Sequence, residues 1–182
     1  MSRIIADWCR RNECVSEEEY PIVLYGLQIM FNTSLKLIGI LLIGMVLGVF
    51  WEVLLSMLVF CSMRYWAGGW HSSTHIGCFS TMLFICVCPA FLKSIEGNWV
   101  IWVWVCMVLY SLYNILRYAP RNSKVNPITD ERILKRKRIG AIVECVVLVI
   151  MVCVCQSTEI RWLVIVPLVA EAVMINMLSE CH

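Results

Sequence analysis

Residues 64–78 read RYWAGGWHSSTHIGC and hold most of the chain's candidate chemistry. Two of its three histidines, His71 and His75, fall here with Arg64, Gly68, Gly69, Gly77 and Cys78. A thiol beside an imidazole is the minimal equipment for nucleophilic catalysis. The imidazole takes the thiol proton, and the thiolate attacks a carbonyl carbon. The bland alternative is equally simple. A cysteine at the edge of an apolar run commonly packs as a small hydrophobe, and an interfacial histidine serves as a polar cap.

Spacing treats the two histidines differently. On one straight helix, His71 and Cys78 would be about 10.5 Å apart along the axis. Proton transfer needs about 3 Å, or one bridging water. A dyad of His71 and Cys78 therefore requires a bend between them, and Gly77 offers a place for it. His75, three residues before Cys78, lies beside it on a helix. A metal site is the third arrangement. His71, His75 and Cys78 at i, i+4 and i+7 share one helical face and could bind zinc. The zinc-protease pattern, however, needs Glu after its first His, where this chain has Ser72. Residues 53–95 contain no acidic residue at all. Neither a metal nor another cofactor is expected.

The elements that must carry this segment are apolar. The chain has 182 residues, 60% hydrophobic and 15% charged. A soluble domain is about half apolar and about a quarter charged. This excludes a disordered chain, and the long apolar blocks point to a lipid bilayer. Most of the 11 cysteines lie inside those blocks, which argues against a disulfide scaffold. Residues 1–20 carry acids and show no basic start followed by an apolar block, so no cleavable signal peptide is expected.

The hydropathy pattern predicts an all-α, polytopic membrane bundle of about six spans, within which short runs can be re-entrant. Residues 1–34 read as interfacial amphipathic helices, with Ser16 and the acids Glu17–Glu19 marking a helix start. Residues 35–63 would make one helix of about 43 Å, longer than a hydrocarbon core of about 30 Å. A hairpin of spans 35–50 and 53–63 is therefore expected, with Trp51 and Glu52 at the far interface. Further spans are expected at 79–92, 99–117, 139–155 and 162–178. The 99–117 span is clearest, with Trp99, Trp102 and Trp104 at one end and Tyr110, Tyr113 and Tyr118 at the other. Residues 118–138 read as a basic loop containing Arg121, Lys124, Arg132, Lys135, Arg136, Lys137 and Arg138. The positive-inside rule puts that loop in the cytoplasm. Counting spans then places both termini and residues 64–78 on the same side. Glu144 and Glu171, one in each of the last two spans, would pair with each other or with Arg161, or line a polar cavity. A transporter is the function class such acids would support. No internal repeat accompanies them.

Arg64, the run of Gly68, Gly69, any residue and His71, then Cys78 seven residues further on, resemble the signature of the AgrB family. These are bacterial membrane cysteine endopeptidases of quorum sensing. Tyr118-Ala119-Pro120, followed by Asn126-Pro127-Ile128 and a basic tail, is similar to the family's central cytoplasmic loop. The resemblance covers nearly the whole chain, residues 1–182, as one integral-membrane peptidase domain. It implies cleavage of the C-terminal tail of a short, AgrD-like precursor peptide. The product would be held as an acyl-enzyme thioester and released as a cyclic thiolactone or lactone. By position, Cys78 is the nucleophile and His71 the base, with Arg64, Gly68 and Gly69 as supporting residues. Lys135, Arg136, Lys137 and Arg138 would attract the acidic tail of the precursor. The implied location is the bacterial cytoplasmic membrane. The lipid bilayer is a partner, a homodimer is allowed, and nucleic acid is not expected.

Overall fold

The computed structural model describes residues 2–12, 14–68, 74–120 and 130–177. They form seven α-helices: α1 (Ser2–Arg11), α2 (Tyr20–Val46), α3 (Phe50–Ala67), α4 (His75–Leu92), α5 (Asn98–Tyr118), α6 (Glu131–Val154) and α7 (Thr158–Met177). Two of them, α2 and α5, are long and apolar enough to cross a membrane. Ile76–Leu92 of α4 is a shorter apolar helix, α6 opens on a basic stretch, and α7 carries Glu159, Arg161 and Glu171. Length and composition thus single out two helices where the hydropathy pattern suggested six spans.

The chain divides into two units, Met1–Ile43 and Gly44–His182. In the first, a capping box leads into α2. The Ser16 amide donates to Glu19 Oε2 at 3.1 Å, and the Glu19 amide donates to Ser16 Oγ at 3.3 Å. The amide and hydroxyl of Ser16 hold the Glu19 carboxyl below its ordinary range. The Tyr20 hydroxyl donates to Asp7 Oδ1 at 2.6 Å, and the Arg10 guanidinium lies 4.7 Å from the centre of the Tyr20 ring. These contacts seat α1 on the start of α2, while Ile4 and Trp8 remain exposed. The expected break before residue 35 is absent. Asn32, Thr33 and Ser34 are polar but lack the backbone restrictions of Gly or Pro, so α2 runs through them for 27 residues. The chain turns at residues 47–49, where Gly48 takes a positive φ of 73°.

In the second unit α7 is the central helix, packed against α3, α4, α5 and α6. Val164, Ile165, Leu168 and Ile175 join Val59 and Met63 of α3, Trp104 and Ile115 of α5, and Cys145 and Leu148 of α6 in one apolar core. Helices α3 and α7 run parallel and in register. At one end Lys93 Nζ reaches Glu52 Oε1 at 2.6 Å and Glu159 Oε1 at 3.0 Å. Four residues along each helix, the Ser56 hydroxyl donates to the Leu163 carbonyl at 3.2 Å. At the other end Arg64 meets Glu171 at 3.3 Å. Glu52 and Arg64 lie twelve residues apart on α3, as do Glu159 and Glu171 on α7, about 18 Å of matched rise. The bonds to Glu52 and then Glu159 hold the Lys93 amine above its ordinary range.

Residues 131–138 are helical, which corrects the expected 118–138 loop. Asp130 caps α6 by accepting from the Arg132 amide at 2.8 Å, and no Gly or Pro interrupts the basic stretch that follows. Gly140 then lets α6 approach α3, since an added Cβ there would overlap the indole of Trp66. Gly140→Leu is therefore expected to destabilise the protein by about 1–3 kcal/mol. A lowered thermal midpoint in detergent would show it. An unchanged midpoint would mean that Trp66 moves aside freely. At its other end α6 is closed by Arg161, whose Nε donates to the carbonyls of Val152 at 3.2 Å and Cys155 at 2.8 Å.

Candidate active site

The facing ends of α3 and α4 carry the described part of the segment 64–78. Arg64 sits in the last turn of α3 and reaches across to α7. Its Nη1 donates to Glu171 Oε1 at 3.4 Å and Oε2 at 3.3 Å, and lies 3.4 Å from the Met174 sulfur. The Glu171 side chain is fully buried, and that of Arg64 is 17% exposed. Removing one partner of a buried ion pair leaves a charge without compensation, at a cost of about 3–5 kcal/mol. The sequence expectation is that Glu171 pairs with Glu144 or Arg161, or lines a polar cavity; its partner is Arg64. Arg161 is instead spent on the end of α6 and on the Trp104 ring, 5.1 Å away. Glu144 Oε2 is buried with no hydrogen-bond partner among the described residues.

Gly68 closes α3. Its amide donates to the Arg64 carbonyl at 3.1 Å. Its φ of 69° with ψ of −154° is open to glycine and strained for a residue with a side chain. Gly69 and His71 lie outside the described residues. The chain resumes at Thr74, which is extended and caps α4: its hydroxyl accepts from the Gly77 amide at 3.1 Å. Cys78 follows in the first turn of α4, half-buried, with its amide bonded to the Thr74 carbonyl at 3.1 Å. The positive end of a helix dipole is a favourable place for a developing negative charge.

This geometry revises one expectation about the segment. Gly77, expected to supply a bend, is inside α4, and the extended residue is Thr74, its N-cap. Helix α4 therefore does not extend back through Thr74. His71, which the zinc arrangement would need, lies outside the described residues. Among the described residues, no group of three His, Cys, Asp or Glu side chains is arranged to hold a metal. His75 opens α4 three residues ahead of Cys78, and its side chain is outside the description. The basic start of α6 lies at this same end. Lys137 Nζ is 5.5 Å from the centre of the Tyr65 ring, next to Arg64 in α3. Lys135, Arg136 and Arg138 share these turns, while Asn126, Pro127 and Ile128 lie outside the described residues.

The site residue that sequence reasoning missed is Glu171 in its role as partner of Arg64. The signal was present: a lone acid deep in an apolar helix requires a cation, and Arg64 is the cation that ends an apolar run.

A helical chain rich in apolar surface, with two helices fit to cross a membrane and a polar cluster at one helical end, has the features of an integral-membrane protein. The family model for Accessory gene regulator B matches residues 2–176, and the chain belongs to that family. It is 26% identical over 147 residues to accessory gene regulator protein B of Staphylococcus aureus strain RF122, covering 80% of this chain and 77% of that one. It is 23% identical over 148 residues to AgrB-like protein 2 of Clostridium perfringens strain 13, covering 78% of this chain and 69% of the relative. No solved structure matches the chain.

Proposed function

We propose that this chain is a membrane-embedded cysteine endopeptidase that processes a short AgrD-like precursor peptide in quorum sensing. Cys78 is the nucleophile and His71 the base. His71 accepts the thiol proton, the sulfur attacks the scissile carbonyl, and the same proton passes to the leaving amine as the C-terminal tail departs. The product is an acyl-enzyme thioester on Cys78. A thiol or hydroxyl side chain of the bound peptide then attacks the thioester carbonyl. This closes a thiolactone or lactone ring and returns the Cys78 sulfur to its thiol form.

The observation that carries the reading is family membership over residues 2–176, joined to the position of Cys78 in the first turn of α4. Thr74 is extended and α4 starts at His75, so the helical spacing of about 10.5 Å does not apply between His71 and Cys78. A transporter is less well supported, because Glu171, one of the two acids it would use, is engaged by Arg64.

In this reading α2 to α7 are the six spans of a protein of the bacterial cytoplasmic membrane, with lipid as its other partner and a homodimer allowed. Both termini and the site face the cytoplasm, on the side of the basic start of α6. Lys135, Arg136, Lys137 and Arg138 attract the acidic tail of the precursor. Replacing all four by Gln is expected to raise KM several-fold and to flatten its salt dependence in protein that still inserts correctly. An unchanged KM with intact topology would leave these charges as a topology signal only. The proposal as a whole is tested with purified protein in liposomes and its precursor peptide. Cleavage that persists in the presence of chelators is expected. Transport of the peptide without cleavage would overturn the reading.

A further inference from the structure

We infer that Glu171 is a positioning residue for the Cys78 chemistry, acting through Arg64. The inference rests on the peptidase reading above. Arg64 occupies the last turn of α3, four residues before Gly68, where the chain leaves the helix with a positive φ. That connection carries His71 and ends at Thr74, the cap on which the first turn of α4 and Cys78 are built. The direction in which α3 ends therefore sets where the connection starts.

Two features make Glu171 the group that fixes this end. Both of its oxygens face Arg64 Nη1, at 3.3 and 3.4 Å, from a fully buried position on the central helix. The pair is also the last of three contacts that hold α3 and α7 in parallel register, after Lys93 with Glu52 and Glu159, and Ser56 with Leu163. Met63, Trp66 and Ala67 pack the final turns of α3 into the core, and Arg64 with Glu171 adds the polar contact that fixes their register against α7. Glu171 touches neither substrate nor sulfur in this role. Its effect reaches the reaction as geometry, where a misplacement of about 1 Å costs on the order of a hundredfold in rate.

The test compares wild type with Glu171→Gln, Glu171→Asp and His71→Ala as full-length protein in liposomes. It measures kcat and KM for precursor cleavage, together with the rate at which iodoacetamide alkylates Cys78, followed by mass spectrometry of the Cys78 peptide. Glu171→Gln is expected to lower kcat about tenfold or more with KM within about twofold, and to slow Cys78 alkylation toward the His71→Ala rate. Glu171→Asp, which keeps the carboxylate, is expected to recover part of both. Wild-type kcat in Glu171→Gln would overturn the inference. So would equal losses in the Gln and Asp variants with Cys78 alkylation unchanged, since the residue would then be merely structural. If wild type and His71→Ala are alkylated at the same rate, the assignment of His71 as base fails; if wild type does not cleave the precursor, the peptidase reading itself fails, whatever Glu171 does.

Discussion

Cys78→Ser is expected to abolish precursor cleavage, by about a thousandfold or more, while leaving the protein folded and inserted. Serine is nearly the same size as cysteine, so the half-buried first turn of α4 should accept it without repacking. The loss is chemical. A hydroxyl gives up its proton far less readily than a thiol, and a site built around a thiolate has no group to compensate. Precursor cleavage in liposomes, with yield and thermal midpoint as controls, reads the result. The other cysteines provide the contrast. Cys86 and Cys145 are buried among apolar side chains, and replacing either by Ala should affect stability more than turnover.

His71→Ala is expected to lower kcat by about 10²–10⁴-fold, the usual contribution of a general base, while His75→Ala stays within a few-fold of wild type. Helical spacing alone would choose His75, which sits three residues before Cys78 at the start of α4. Thr74 is extended, so α4 does not reach back to His71 and helical spacing does not fix that residue's distance from the sulfur. The opposite outcome, with His75→Ala inactive and His71→Ala active, would move the base into the first turn of α4. The proposed dyad would then be wrong.

What the sequence disclosed about the fold follows from how each signal arises. Helix α5 was legible almost to the residue, because Trp99 and Tyr118 mark its two ends and Gly97 precedes it. The turn after Leu92 was equally plain, since Lys93, Ser94 and Glu96 interrupt two apolar runs. Hydropathy misjudged α2 and α6, where it changes sharply while the backbone does not. Asn32–Ser34 and Arg132–Arg138 alter the polarity of their helices yet contain nothing that breaks one. In the segment 64–78 the bend expected at Gly77 is absent, because α4 starts at His75 and its extended cap, Thr74, lies three residues earlier. The pairing of Arg64 with Glu171 was out of reach of the residue pattern in that segment. Periodicity reports which face of a helix is apolar, whereas the register of α3 against α7 depends on residues more than a hundred positions apart.

Trapping the acyl-enzyme tests the central claim most directly. Wild-type protein in liposomes is mixed with its precursor, quenched with acid within one turnover, and digested for mass spectrometry. A thioester joining the Cys78 sulfur to the new C-terminus of the precursor is predicted. It should be released by hydroxylamine and be missing from Cys78→Ser. Cleaved precursor from wild-type protein with no adduct on Cys78, or an adduct on another cysteine, would contradict the account.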